Sequence, residues 1–225
     1  MTVLAAPVSQ PVALTAPSLT GHSVLGRPIT ARRIGNAGDG PVVLVIGAIH
    51  GNEPAGIAIA RRLAHDQGAR TVRLWVLPDL NPDGVHARTR GNAHGVDLNR
   101  NFAWRWRPRT APATTFYAGP APLSEPESRF ARLLIRRLRP DITIWFHQSE
   151  TAVDISGGSA KIEARFARRV ALPLRRLIRY PGSATTWQAH RFPKATAFVV
   201  ELPPGSLSAV ATRAYARAVL ALART

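Results

Sequence analysis

Apolar residues occur along this chain in short runs that predict buried β-strands. Four such runs cover residues 41–49, 72–80, 141–146 and 196–202, and glycine, proline or polar residues interrupt or follow each of them. Residues 22–34 predict an additional edge strand or hairpin. These runs are typical of strands that are covered on both faces.

Helical spacing of apolar residues appears between the strand-like runs. Residues 56–67 carry an apolar face, and Ser124-Glu-Pro-Glu127 resembles a capping box that opens a helix through residue 138. Further helices are expected over residues 160–170 and 206–223, whereas residues 81–102 and 103–123 are expected to form loops. The alternation predicts an α/β fold, with a mixed central β-sheet and helices on both faces.

Length and composition fit one globular domain. With 225 residues, 45% of them hydrophobic, the chain can bury a single sizeable core. Residues 1–20 carry no charge and are expected to form a flexible Ala/Pro-rich tail, which leaves residues 21–225 as the domain. Residues 1–20 lack the basic start and the continuous apolar core of a signal peptide, so cytoplasmic and exported locations both stay open. No apolar stretch is long enough to span a membrane.

The charge balance is strongly basic and the chain lacks cysteine. The net charge of +17 comes almost entirely from arginine, since Lys161 and Lys194 are the only lysines. Such a charge favours weak binding of polyanions. The arginines are spread over predicted helices without interleaved aromatic residues, which is typical of a solvated surface and gives no sign of specific nucleic-acid binding.

Three residues at strand ends are candidate metal ligands. His50 and Glu53 follow the apolar run 41–49, and His147 ends the run 141–146. In open α/β sheets ligands bind at the edge formed by the carboxyl ends of the strands. Two histidines and one glutamate form a known ligand set of catalytic zinc, although a histidine at a strand end also occurs without a metal.

Glu201 is the candidate general base for a hydrolytic zinc site. It lies near the end of the apolar run 196–202, where an unpaired carboxylate is costly to bury. A structural salt bridge with one of the many arginines is the alternative explanation.

Several ordered motifs then support a family resemblance. They include Asn81-Pro-Asp-Gly84, Arg90-Gly-Asn92 and the stretch 95–102, together with Gly26-Arg-Pro28 and Tyr180-Pro-Gly-Ser183. With His50-x-x-Glu53, His147 and Glu201, the chain resembles the zinc carboxypeptidase family (peptidase family M14). It is most similar to the short bacterial branch of murein tripeptide amidases. The resemblance runs from about residue 23 to residue 205.

The resemblance implies a role for each matching residue. It implies one zinc ion held by His50, Glu53 and His147, with Glu201 as the base. The other implied residues are Arg90, which polarises the scissile carbonyl, Asn99 and Arg100, which hold the substrate's terminal carboxylate, and Asp97, which lies behind His50.

One position departs from the family pattern. Many members carry a tyrosine on the loop before the last strand, where Thr185-Thr-Trp187 offers Trp187. Indole donates a hydrogen bond but cannot act as an acid or base. Trp187 is therefore expected either to contact substrate by packing and one hydrogen bond, or to be an ordinary buried aromatic.

The implied reaction is hydrolysis of an amide next to a free carboxylate. In the murein branch the substrate would be the γ-D-glutamyl–diaminopimelate bond of cell-wall peptides, and Glu150 and Asp154 either receive its ammonium group or pair with local arginines. Alternatives are a general metallocarboxypeptidase, a deacylase of the aspartoacylase or succinylglutamate desuccinylase type, and a non-catalytic protein that binds polyanions.

Overall fold

The computed structural model describes residues 18–36, 38–108, 111–112 and 114–224. Within these ranges one eight-stranded sheet is flanked by helices. The strands are β1 (Ser18–His22), β2 (Pro28–Asn36), β3 (Val43–Ile46), β4 (Arg73–Leu77), β5 (Ile142–Gln148), β6 (Ala152–Asp154), β7 (Leu174–Arg175) and β8 (Thr196–Leu202). The helices are α1 (Ala55–Ala64), α2 (Pro82–Ala87), α3 (Pro126–Leu138), α4 (Ala160–Val170), α5 (Ala184–Arg191) and α6 (Ala209–Ala223), with 3-10 helices at Gln67–Thr71 and Leu98–Arg100.

The sheet is mixed, and its centre is parallel. The strand order is β1-β2-β4-β3-β5-β8-β6-β7. Strands β4, β3, β5 and β8 run parallel, whereas β2 and β6 run antiparallel to their neighbours β4 and β8. The carboxyl ends of β3, β5 and β8 therefore meet at one edge of the sheet, where ligand sites of such sheets form.

Both faces of the sheet are buried, which explains the continuous apolar runs. In β3, Val43 and Val45 pack in one core cluster with residues of α1, α4 and α6. Leu44 and Ile46 point to the opposite face and pack with residues of α3 and α5. This arrangement confirms the predicted mixed sheet with helices on both faces.

The strongest sequence patterns predicted their elements well. The helix expected over residues 160–170 and the strand expected over 196–202 both have the observed bounds. The prediction that residues 81–102 form only a loop is wrong, because they contain α2. Asn81 accepts a hydrogen bond from the Gly84 backbone N–H at 3.0 Å, and Pro82 fixes the first turn, so a short helix forms without an apolar face.

The sheet begins inside the segment expected to be a tail. β1 starts at Ser18 and pairs antiparallel with β2 from Ser18↔Arg32 to His22↔Pro28. The rest of the expected tail, residues 1–17, lies outside the described residues. Among the helices that are described, none is both long and apolar enough to cross a membrane.

Candidate metal centre

The turn between β3 and α1 carries the first two predicted ligands. His50 and Glu53 are 1% and 7% exposed, and His50 Nδ1 lies 2.9 Å from Glu53 Oε1. The turn passes close to α2 at Gly51, where a Cβ atom would lie only 1.9 Å from the Gly84 carbonyl carbon. Glycine at position 51 therefore permits the close approach that holds the turn in place.

His147 completes the group from the end of β5. Its Nδ1 lies 3.0 Å from Glu53 Oε2, and its ring meets the His50 ring edge-on with centroids 4.8 Å apart. One ligand atom from each of the three residues lies within 4.8 Å of the other two. The structure thus brings together the three side chains that the sequence predicted as a metal site.

The hydrogen bonding of His50 fits a cation at this position. Its Nε2 contacts Asp97 Oδ1 at 3.0 Å, and because a carboxylate only accepts, the ring proton belongs on Nε2. Nδ1 then presents a lone pair to Glu53, and this buried nitrogen makes no hydrogen bond. Two acceptors facing each other at 2.9 Å require a proton or a metal ion between them. The donor set of two imidazoles and one carboxylate suits zinc.

Arg90 connects the two carboxylates of the site. Its Nη1 donates to Glu53 Oε1 and its Nε donates to Asp97 Oδ2, both at 2.9 Å. Burial raises the pKa of the Asp97 carboxyl, but His50, Arg90 and Arg100 outweigh burial and hold that pKa well below its usual range. Asp97 is therefore ionised and stabilises a positive charge on the His50 side of the site.

The charge of Glu53 is stabilised in the same way. Burial raises the pKa of its carboxyl, but the charges of His50 and His147 and the hydrogen bond with His147 outweigh it and hold that pKa far below the usual range. A carboxylate that stays ionised is a competent metal ligand.

Glu201 lies beside the ligands on the neighbouring strand. The register of β5 and β8 places His147 directly opposite Glu201. Burial raises the pKa of the Glu201 carboxyl, and the nearby Glu53 raises it further, against the opposing charge of His147. Among the described residues Glu201 takes part in no ion pair, which argues against the salt-bridge explanation. A raised pKa suits a group that accepts and returns a proton near neutral pH.

An open cavity of about 430 Å³ leads to this group. Its wall includes Asn99 and Arg100, which follow Asp97 on the short 3-10 helix. Asn99 Oδ1 accepts from the Ala184 backbone N–H at 2.9 Å, and Arg100 Nη1 donates to the Asn99 carbonyl at 2.8 Å. These contacts fix both side chains on the wall of the cavity that the metal ligands also line.

The structure does not bring Trp187 to the cavity. α5 starts at Ala184 and turns Trp187 into the core, where it is 7% exposed and packs on Phe102 with ring centroids 5.5 Å apart. Its position matches the ordinary buried aromatic, the second of the two expectations. Tyr180 lines the cavity instead, with the Arg100 guanidinium carbon 3.9 Å from its ring centroid.

A second aromatic residue at the cavity was not predicted. Phe116 lines it within the stretch expected to be a long loop, and its ring centroid lies 5.4 Å and 5.5 Å from the guanidinium carbons of Arg90 and Arg100. No spacing rule marks an aromatic residue in such a loop. Tyr180 did have a signal, because it opens the motif Tyr180-Pro-Gly-Ser183.

The acidic residues after His147 have different environments. Asp154 is buried and forms an ion pair with Arg179, and it also accepts from the Leu177 backbone N–H at 3.0 Å. This confirms pairing with a local arginine. Glu150 is exposed at the cavity and forms no ion pair with any described residue.

Comparison with known proteins identifies the class. The sequence model described as zinc carboxypeptidase, Peptidase_M14, matches residues 8–163. The chain belongs to this family, and it is a zinc-dependent metallopeptidase, a hydrolase. Among the described residues, His50, Glu53 and His147 form a group that could hold a metal ion.

Within the family the chain is similar to murein peptide amidases. Murein peptide amidase A of Vibrio campbellii is 30% identical over 206 residues, which are 85% of this chain and 81% of the relative. The protein of the same name from Escherichia coli K12 is 28% identical over 189 residues, or 75% of this chain and 74% of the relative. The crystal structure of murein-tripeptide amidase from Escherichia coli O157 superposes with a TM-score of 0.79 at 27% identity, covering 100% of this chain and 98% of that chain.

Proposed function

We propose that this protein hydrolyses the amide bond between γ-D-glutamate and diaminopimelate in murein peptides. The observation that carries the proposal is the site itself. A candidate zinc ligand set, a partly buried carboxylate that forms no ion pair with a described residue, and a fixed arginine line one cavity. Similarity to murein peptide amidases over most of both chains supports the choice of substrate.

The substrate's free carboxylate would be held by Arg100 and Asn99. A guanidinium group forms paired, charge-assisted hydrogen bonds with a carboxylate, and the contacts of Arg100 with Tyr180 and the Asn99 carbonyl orient it for this purpose. Binding there places the neighbouring amide beside His147 and Glu201. Hydrolysis is thereby restricted to amides next to a free carboxylate.

Zinc bound to His50, Glu53 and His147 would supply Lewis-acid polarisation of the carbonyl and would lower the pKa of the attacking water. Glu201 takes the proton from that water and returns it to the leaving amine, which its raised pKa favours. Arg90 donates to Asp97 through Nε and to Glu53 through Nη1. Its Nη2 would donate to the oxygen of the scissile carbonyl as negative charge develops there.

The test is mass spectrometry of candidate substrates incubated with zinc-loaded and with chelated protein. L-Ala-γ-D-Glu-meso-diaminopimelate should lose diaminopimelate with the zinc-loaded protein only. Preferential trimming of ordinary dipeptides would indicate a general carboxypeptidase. Release of acetate or succinate from N-acyl amino acids would indicate a deacylase, and no hydrolysis combined with salt-sensitive polymer binding would indicate a polyanion-binding protein.

A further inference from the structure

The cavity wall carries two arginines that the proposed reaction does not use. Arg175 ends β7, Arg176 follows it, and both are exposed and line the same cavity as the metal ligands. Neither forms an ion pair with a described residue. Two adjacent cations without a partner, placed on the wall of a substrate cavity, are available to an anionic group of the substrate.

The sheet register fixes where Arg175 lies relative to the catalytic end. β6 pairs with β8 through Ala152↔Glu201 and with β7 through Asp154↔Arg175. Residues paired in register, and residues two apart on one strand, share a face, so Glu201, Asp154 and Arg175 face the same side. With neighbouring strands ~4.8 Å apart, the backbone of Arg175 lies about 10 Å across the sheet from β8.

The charges between these two points are already balanced. Asp154 is paired with Arg179, which also donates to the Ile155 carbonyl, so this pair contributes little net charge to the cavity. Val199, two residues before Glu201 on β8, adds an apolar side chain to the cavity wall. Across the sheet from Glu201, the wall therefore carries a neutral ion pair at Asp154 and then two cations, Arg175 and Arg176.

We propose that Arg175 and Arg176 form a subsite for a second carboxylate, carried at the far end of the leaving residue's side chain. A three-methylene side chain places such a group roughly 6 Å from its Cα. The extended arginine side chains cover the rest of the distance. Glu150, the exposed acid on the same cavity, would meet an ammonium group on that end.

This inference rests on the proposed function, and it gives that function a basis for selectivity. Diaminopimelate and lysine present the same α-carboxylate and the same distal ammonium group. They differ in the distal carboxylate, which only diaminopimelate has. Arg175 and Arg176 would therefore select diaminopimelate as the leaving residue and disfavour lysine in an otherwise identical peptide.

The experiment compares kcat/KM of the zinc-loaded protein for L-Ala-γ-D-Glu-meso-diaminopimelate and L-Ala-γ-D-Glu-L-lysine. Charge-assisted hydrogen bonds to the extra carboxylate should give a ratio of about 10 in favour of diaminopimelate. Replacing both arginines, Arg175→Gln with Arg176→Gln, should bring the ratio close to one. The matched control, Arg136→Gln with Arg137→Gln, removes two adjacent exposed arginines from α3 and should leave the ratio unchanged.

Binding of the free amino acids gives a readout that does not depend on turnover. Calorimetry with the zinc-loaded protein should show tighter binding of diaminopimelate than of lysine, and the Arg175→Gln/Arg176→Gln protein should lose that preference. An equal affinity of the native protein for both amino acids, or a preference that survives the double substitution, overturns the inference. If neither peptide is cleaved, the proposed function fails, and calorimetry still decides the inference. If the double variant does not fold, the same measurements are made on Arg176→Gln alone, because Arg176 lies outside β7.

Discussion

Replacing Asp97 with asparagine should weaken zinc binding through His50. Asp97 is fully buried and accepts from His50 Nε2 at 3.0 Å, from Arg90 Nε at 2.9 Å and from the Asn99 backbone N–H at 2.9 Å. An asparagine of the same shape has one accepting oxygen and one donating nitrogen. At least one of the donors would face an N–H group, and the negative charge that raises the basicity of His50 would be lost.

The expected loss of zinc affinity is about 10- to 100-fold, the usual effect of removing a carboxylate behind a ligating histidine, or roughly 1.4–2.7 kcal/mol. Competition with a chromophoric chelator measures it directly. Breaking the buried ion pair with Arg90 should also lower the free energy of unfolding by about 3 kcal/mol or more. Stability loss and affinity loss must therefore be separated by a control.

Asp83→Asn is that control. Asp83 is buried, pairs with Arg27 at 2.6 Å and accepts from the Leu25 backbone N–H at 3.0 Å, but it does not line the metal site. The Asp83→Asn protein should have a lower free energy of unfolding than the native protein but the same zinc affinity. The reasoning is refuted if Asp97→Asn binds zinc as tightly as the native protein, or if both variants lose zinc affinity equally.

Three further outcomes are expected. Glu201→Gln should lower kcat by about 10²–10⁴-fold while bound zinc, measured by elemental analysis, stays near one ion per chain; retained turnover would contradict its role as the base. Asp79 has a pKa raised to about 6 by burial, so its ionisation opposes folding. The free energy of unfolding should therefore fall as pH rises from about 4 to about 6. Asp79→Asn should remove this fall and raise the free energy of unfolding at pH 7 by roughly 1–3 kcal/mol, measured by urea unfolding. An unchanged dependence on pH in the variant would contradict this. Gly182→Ala should raise KM and destabilise the protein, because φ is +73° and a Cβ would lie 2.1 Å from the Arg100 carbonyl oxygen. The control is Gly26→Ala, where φ is +76° but an added Cβ would have no atom within 4 Å. It should lower the free energy of unfolding by only about 1–2 kcal/mol and leave KM unchanged. Equal effects of the two glycine substitutions on KM would argue against the clash at Gly182.

The sequence predicted the central elements because both faces of those strands are buried. In β3 and β8 nearly every position is apolar, so the run itself marks the strand, and the ligands follow where the run ends. His50, Glu53, His147 and Glu201 could therefore be chosen before their distances were known. The short peripheral elements carry no such pattern, since β7 has two exposed residues.

The environment of Trp187 could not be derived in the same way. The direction of the Trp187 side chain depends on where α5 begins. Ser183 is the N-cap residue of α5, but its side chain makes no capping hydrogen bond that would mark the start of the helix. Likewise, Asp154 and Arg179 are 25 residues apart in the chain, and only the folding of the intervening segment over β6 shows that they pair. Contacts of this kind come from tertiary packing and leave no periodic signal.

The two-residue strand β7 also has a consequence for how such an enzyme can diverge. In the described part of the chain β7 pairs with β6 alone, at the outer edge of the sheet, whereas the candidate metal ligands and Glu201 lie on or directly after strands in its interior. In the proposed subsite, mutations in β7 would change the residues that meet a substrate's side chain without disturbing the interior strands. The proposed basis of selectivity and the candidate catalytic groups would then lie on separate parts of the chain, so that one could drift under selection while the other is kept.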